Sequence, residues 1–576
     1  MSKKVNMKIF FFLLLLPLLS GCATPTVKLS LVKTEVLTEP EERVAPGKAY
    51  LHFTQAQLKV QEGDIDGAID EHKKAFFYDP QSPFLHTSLS ALYARKGAIE
   101  DAIREGEEAV SLDPYFLNAR MLLGGLYSVT KNSVKAVEEY KTAISLDPEK
   151  PDAYFYLGTL YADIGEYDNA LEIMTKLLKL DPDSLLGNYY MGRIYANKKD
   201  FPEAEVYFKK ALEIKQNFDS AILDLALVYE IQGKIDKAID LYKDLLASQG
   251  HNNLKIRNKL GELYIRQQKL GEALGEYREI EKFDAGNIDA RTKIGLIYLE
   301  QDRLDEAITE FQLILSANPE LHRARYYLAM AYGEKGNTEK AIEELKKIPE
   351  GADVYADAMV YLASTLAQKK KFDEAIGYVK EALRIEPERV TAWSLLGTLY
   401  QEKKDYKSSV DAFKEAARLE PQNAGNYFSL GAAYDKLERF DDMVSAMKKA
   451  IELDPRHVSA LNYLGYSYAD KGMNLDEAEM LIRKALEFKP GDGFITDSLA
   501  WVLYKKGDLK DALEVIKEAV RIVPDDPTIN EHTGDLYSAM NDKTKALEFY
   551  QKAVDLDPEN LKLKEKTEKF KKEMGK

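Results

Sequence analysis

One cysteine, seven histidines and many carboxylates are the side chains here that could ligate a metal, attack a carbonyl or shuttle a proton. The histidines, His52, His72, His86, His251, His322, His457 and His532, are scattered. No two stand four apart, as zinc ligands on one helix face would. A phosphate-binding loop needs Ser or Thr after Gly-Lys, whereas Gly47-Lys48 and Gly233-Lys234 are followed by alanine and isoleucine. The acidic pairs fall on solvent faces and in turns, where charge is expected. No catalytic residue, no metal ligand and no cofactor is therefore expected, and the chain reads as a non-enzyme. Cys22 differs in kind. It closes Leu19-Ser20-Gly21-Cys22, after Lys3, Lys4 and Lys8 and an apolar run from Ile9 to Leu19 broken by Pro17. That is the layout of a cleaved export signal, and the run is too short to span a bilayer.

The same arrangement resembles the lipobox of bacterial lipoproteins. The resemblance implies a signal peptide over residues 1–21, cleavage before Cys22, and acylation of that cysteine. Each buried methylene contributes about 0.8 kcal/mol, so more than one acyl chain anchors stably. Ala23 stands where an aspartate would favour inner-membrane retention, so an outer-membrane lipoprotein facing the periplasm is expected. Residues 23–47 hold Pro25, Pro40 and Pro46 with little periodicity, and 22–47 reads as the lipidated N-terminus and a flexible tether. With Cys22 acylated no thiol remains, which excludes disulfides and zinc-thiolate sites. Removing 1–21 leaves 77 basic against 96 acidic residues, a net charge of −19. Nucleic acid is excluded as a partner, because phosphate binding needs a basic stripe.

The elements that must position any site repeat along the chain. Prolines recur at 34- or 35-residue steps or small multiples of them: Pro80, Pro114, Pro148, Pro182, Pro319, Pro387, Pro421, Pro455, Pro490, Pro524 and Pro558. Gln216, Gly250, Ala285 and Asp353 take the remaining slots, giving fifteen units. Twelve residues before each slot stands an alanine, from Ala68 through Ala546, except at Ser409 and Met443. Twenty-one before it, or twenty-two at Tyr468, stands a tyrosine in twelve units, among them Tyr127 and Tyr298. Apolar residues recur at three- and four-residue spacing within each unit, as Leu157, Leu160 and Tyr161 do. Glycines such as Gly192 and Gly397 would let two helices approach closely. Single extra residues fall near Gly250 to Leu254 and within Lys471 to Leu475, and Pro349 is out of register.

This pattern resembles the tetratricopeptide repeat family. It implies an all-α fold, a right-handed superhelical solenoid of about fifteen helix-turn-helix repeats over residues 48–560, with 561–576 as a C-terminal capping helix. By the same resemblance, positions five and nine of each unit point into a concave groove that receives proteins or peptides. They hold Phe155, Tyr189 with Arg193, Asn258 with Glu262, Tyr326 with Met330, Phe428, Asn462 with Tyr466, and Asp497 with Trp501. Tyr504 lies one turn beyond Trp501, and Trp393 falls at a core position. Rigid aromatic rings beside Arg and Asn suit a peptide-binding surface.

The runs Leu461 to Tyr466, Leu475 to Ala478, Asp497 to Trp501 and Asn530 to Asp535 resemble a set of bacterial tetratricopeptide lipoproteins. Some of these are adaptors for a periplasmic carboxyl-terminal processing protease. The resemblance implies an interaction scaffold or adaptor for an envelope protease. The alternative is an assembly factor for a secretin, pilus or polysaccharide export complex. A homo-oligomer is open on either reading.

Overall fold

The computed structural model describes residues 46–248 and 252–575. The expected signal peptide, Cys22, nearly all of the tether and the slot at Gly250 lie outside the described residues. Thirty-one helices and no strand are present among those described. They form fifteen antiparallel pairs and a final helix, the all-α solenoid that the period predicts. The chain divides into two compact units, the first ending at His251 and the second beginning at Asn252. Unit 1 holds six pairs, from α1 (Pro46–Gln61) to α12 (Ile235–Ser248). Unit 2 holds nine pairs, from α13 (Leu254–Arg266) to α30 (Lys543–Leu556), followed by α31 (Leu561–Glu573).

Each pair closes through the same contacts. The recurring alanines of the second helix, Ala68 to Ala546, are completely inaccessible, and so are Ser409 and Met443 in their places. Ser409 satisfies its hydroxyl by donating to the Gly397 carbonyl at 2.8 Å. One turn on, a large side chain fills the space over the glycine of the first helix. A Cβ at Gly192 would lie 2.6 Å from the Phe208 ring, and one at Gly261 2.6 Å from that of Tyr277. Phe208, Tyr277 and Phe311 are among the largest fully buried side chains. Burying such a ring contributes roughly 1.5–3 kcal/mol.

The first helix of each pair ends on a left-handed residue. The N–H that follows it bonds back to the recurring tyrosine's carbonyl, as Asn132 does to Tyr127 and Arg303 to Tyr298, both at 2.8 Å. This is the six-to-one bond of a Schellman cap. Glycine fills the left-handed position at Gly165 and Gly233, but Lys199, Asp302 and Lys404 also accept it. The extra residue near 471–475 is taken up here. Gly472 and Asn474 are both left-handed around an exposed Met473, so α25 (Val458–Lys471) and α26 (Leu475–Phe488) keep fourteen residues each. Pro349 has a larger effect. Its helix, α18 (Thr338–Lys346), has only nine residues, and Ile348 and Val354 of the following loop fill the core in place of the missing turn.

Candidate functional site

In both units the first helices of neighbouring pairs touch one another directly as well as touching their own partners. In unit 1, α9 (Leu185–Asn197) contacts both α7 (Pro151–Asp163) and α11 (Asp219–Ile231). In unit 2, α27 (Gly493–Lys506) contacts both α25 and α29 (Pro527–Ala539). The side on which alternate helices meet is the inner side of a curved stack, so first-helix side chains line the concave face.

Unit 1 brings Phe155, Tyr189 and Arg193 into one cluster with residues the spacing argument missed. Phe155 meets Tyr190 edge to face at 5.4 Å, and Tyr189 meets Tyr190 the same way. Arg193 lies over the rings of Tyr189 and Tyr190, at 5.9 and 5.3 Å, a cation–π arrangement. The Tyr189 hydroxyl donates to Asp224 on α11 at 2.9 Å. Burial raises the Asp224 carboxyl despite Tyr189 and Arg193. Tyr190 and Asp224 occupy position six, one residue beyond the position that the family resemblance marks.

The middle residues of unit 2 stand further apart. Asn258 donates to Glu262 on its own helix at 3.1 Å. Tyr326, on α17 (His322–Glu334), packs edge-on to Tyr361 at 6.2 Å, and burial raises its phenol. Met330, one turn later, is half-buried. Trp393, expected in the core, is only partly buried and donates its indole N–H to the Pro387 carbonyl at 2.8 Å. Phe428, on α23 (Ala424–Lys436), faces His457 and the edge of Tyr463, whose hydroxyl donates to Asp435 at 2.7 Å.

The C-terminal pairs hold the densest cluster. His532 on α29 is 8% exposed, and its Nδ1 lies 3.0 and 2.9 Å from the two carboxylate oxygens of Asp497 on α27, itself 5% exposed. Burial opposes the imidazolium, but Asp497, with Asp535 and Glu531 beyond it, outweighs that and raises the His532 pKa. Trp501 stacks on the imidazole at 4.1 Å and on Tyr504 at 5.0 Å, and Tyr466 lies 6.3 Å from His532. Burial, with Asp470 and Asp497, pushes the Tyr466 phenol up to about 12. Lys566 on α31 bonds Glu531 and Asp535, both at 2.7 Å. Three buried polar atoms on α25, α27 and α29 lack a partner, the Asn462 Oδ1, the Trp501 Nε1 and the Asn530 Oδ1. Tyr466, Asp497, Trp501 and Tyr504 thus come together, with Asn462 one turn before Tyr466 on α25. His532, which meets Asp497, Trp501 and Tyr466, sits at position six, and its pairing with Asp497 across 35 residues is the signal that could have found it. Trp501 has two of its stacking partners already in the fold, so Tyr466 is the better-placed contact residue.

Among the described residues no three histidine, cysteine or carboxylate side chains come together as metal ligands would. No described helix is long and apolar enough to cross a membrane.

Helix pairs of this period and cap geometry define an all-α repeat solenoid. Family descriptions for the tetratricopeptide repeat match residues 135–165, 163–228, 223–288, 288–321 and 498–560. Tetratricopeptide repeats are therefore present in the chain over those residues. The C-terminal domain of cilia and flagella-associated protein 70 matches 321–526. The chain is 47% identical over 53 residues to the TPR repeat-containing protein PA4667 of Pseudomonas aeruginosa. That match spans only 9% of either chain. Among solved structures, one of MamA is 32% identical over 28% of this chain and 94% of its own, with a TM-score of 0.27. Yeast Tom70 is 17% identical over 80% of this chain and 96% of its own, with a TM-score of 0.33. Naa15/Naa10 bound to HypK-THB is 14% identical over 91% and 96%, with a TM-score of 0.34.

Proposed function

We propose that this chain is a non-enzymatic scaffold that holds partner proteins against the concave face of its first helices. The observation that carries the reading is the cluster on α25, α27 and α29. There a buried ion pair and stacked rings fix a rigid aromatic surface, with the unpartnered Trp501 indole N–H in the stack and unpartnered amide oxygens of Asn462 and Asn530 on the same helices. Buried polar groups without partners call for a ligand or water, and fixed rings bind at low entropic cost. Tetratricopeptide repeats in the chain support an interaction role over catalysis.

The finer reading is an outer-membrane lipoprotein, anchored through Cys22 and facing the periplasm, that serves as an adaptor for an envelope protease. Its supports are the lipobox pattern and the resemblance of the runs from Leu461 to Asp535. Two experiments test it. Replacing Cys22→Ser is expected to move the protein from the membrane to the soluble envelope fraction; unchanged fractionation would remove the anchor. Affinity capture from envelope extract with the wild type and with Tyr466→Ala is expected to return a protease or hydrolase that the variant loses. Recovery of secretin, pilus or export proteins instead would replace the adaptor with an assembly factor.

A further inference from the structure

The concave face of unit 1 carries an apolar stripe that nothing above uses. Leu223, Leu227 and Ile231 follow one another at four-residue steps along α11 and are 41%, 50% and 56% exposed. Four-residue steps keep three side chains on one helix face, over about 12 Å at 1.5 Å per residue. In the other pairs of unit 1 the aliphatic residues of first helices are mostly buried, for example Leu123, Leu157 and Ile194. An exposed apolar row of this kind marks an interaction surface. Next to it stands the ring cluster of Phe155, Tyr189 and Tyr190.

The charges beside the stripe are mostly acidic. Asp163 on α7 and Asp224 on α11 both face Arg193 on α9, which is the one Lys or Arg in the sequences of these three helices. Arg193 is already committed to the tyrosine rings and lies 3.9 Å from Asp224. Burial holds the Asp224 carboxyl above its usual range, the condition that a ligand's cation would relieve.

We infer that this face of α7, α9 and α11 seats a basic amphipathic helix, its apolar residues along Leu223, Leu227 and Ile231 and its Lys or Arg side chains toward Asp163 and Asp224. An apolar row of two helical turns matches the apolar face of another helix. An extended peptide would alternate its side chains and place only every second one on the row. The inference rests on the scaffold reading and assigns unit 1 its own class of partner.

The test uses the whole mature chain and three synthetic helical peptides: one with leucines at four-residue steps and a lysine and arginine rim, one with glutamates in the rim, and one with the leucines respaced. Fluorescence anisotropy is expected to show binding of the first, weaker by about tenfold for each of the others. Leu223→Ser with Leu227→Ser is expected to weaken it by about tenfold as well. Both side chains are exposed, so the variant should fold, and circular dichroism checks this. Salt raised to about 0.5 M is expected to weaken binding severalfold. Equal binding of the glutamate peptide, or binding unchanged in the double variant, would overturn the inference. So would failure of all three peptides to bind, or concentration-dependent self-association abolished by the double variant, which would make the occupant a second copy. Envelope capture that depends on Tyr466 but not on Leu227 would sink this inference and leave the scaffold reading standing.

Discussion

Replacing Asp497→Asn isolates the Asp497–His532 pair that joins α27 to α29. Both side chains are buried and the contact is short, so the pair is unlike the repeat-to-repeat pairs on the surface, such as Lys506 with the 95% exposed Asp476. Surface pairs contribute about 0–1 kcal/mol. Breaking a buried pair from one side costs about 3–5 kcal/mol, because the remaining charge is stranded. The variant is therefore expected to lose about 3 kcal/mol or more at pH 6 in the C-terminal pairs. Its pH dependence follows from the raised His532 pKa. Stability from the imidazolium is fully present below the unfolded value of about 6.5 and is lost as pH rises through the folded value. The groups that face His532 are Asp497, Asp535, Glu531 and Tyr466, and Lys566 bonds two of these acids. Wild-type stability in this region should accordingly fall as the pH rises above about 6.5, and the slope should flatten in the variant. Trp501, stacked on His532, reports the site in a Trp393→Phe background, where it is the sole tryptophan. Urea unfolding followed by its fluorescence measures the change. A variant within about 0.5 kcal/mol of wild type at pH 6, the ordinary range for a surface substitution, or an unchanged pH slope would refute the reasoning.

Other perturbations carry their own expectations. His72 is completely buried with neither ring nitrogen bonded, and burial pulls its pKa down to about 4. Its contribution has the opposite sign, present above about pH 6.5 and lost as pH falls through 4. His72→Phe should therefore stabilise the first pairs of unit 1 at pH 5, by up to about 2 kcal/mol; hydrogen exchange there that is no slower than wild type would count against it. Gly192→Ala drives a Cβ to 2.6 Å from Phe208 and should cost about 1–3 kcal/mol. Gly275→Ala and Gly377→Ala meet nothing within 4 Å on exposed helix faces and should each stabilise by about 0.5–1 kcal/mol. Denaturant midpoints of the three variants check both signs.

Much of the fold was legible in the sequence because each repeat solves the same packing problem. The alanine slots had to be small, and all prove inaccessible. The tyrosines were visible as a pattern, but their role as acceptors of the cap bond was not, since the backbone carbonyl performs it. Pro349 looked like a local irregularity, whereas it shortens a whole helix, and side chains from the loop compensate. The site was less legible. Scanning positions five and nine for aromatic and polar residues found Tyr466, Asp497 and Trp501 but passed over His532, Tyr190 and Asp224 at position six. It also passed over Leu223 and Leu227, since a leucine on a helix reads as core until its exposure is known. That Trp501 spends two stacking contacts inside the fold depends on a histidine 31 residues away, which local spacing does not reveal.

The central claim is that a protein partner sits on the concave first-helix face. A photoreactive residue placed at Tyr466 in the native protein in intact cells tests it most directly, with a matching probe at Glu487 on the exposed side of α26 as control. Crosslinking from Tyr466 to a defined protein, absent from Glu487, is the predicted result. Equal capture from both positions, or capture only from Glu487, would contradict the account.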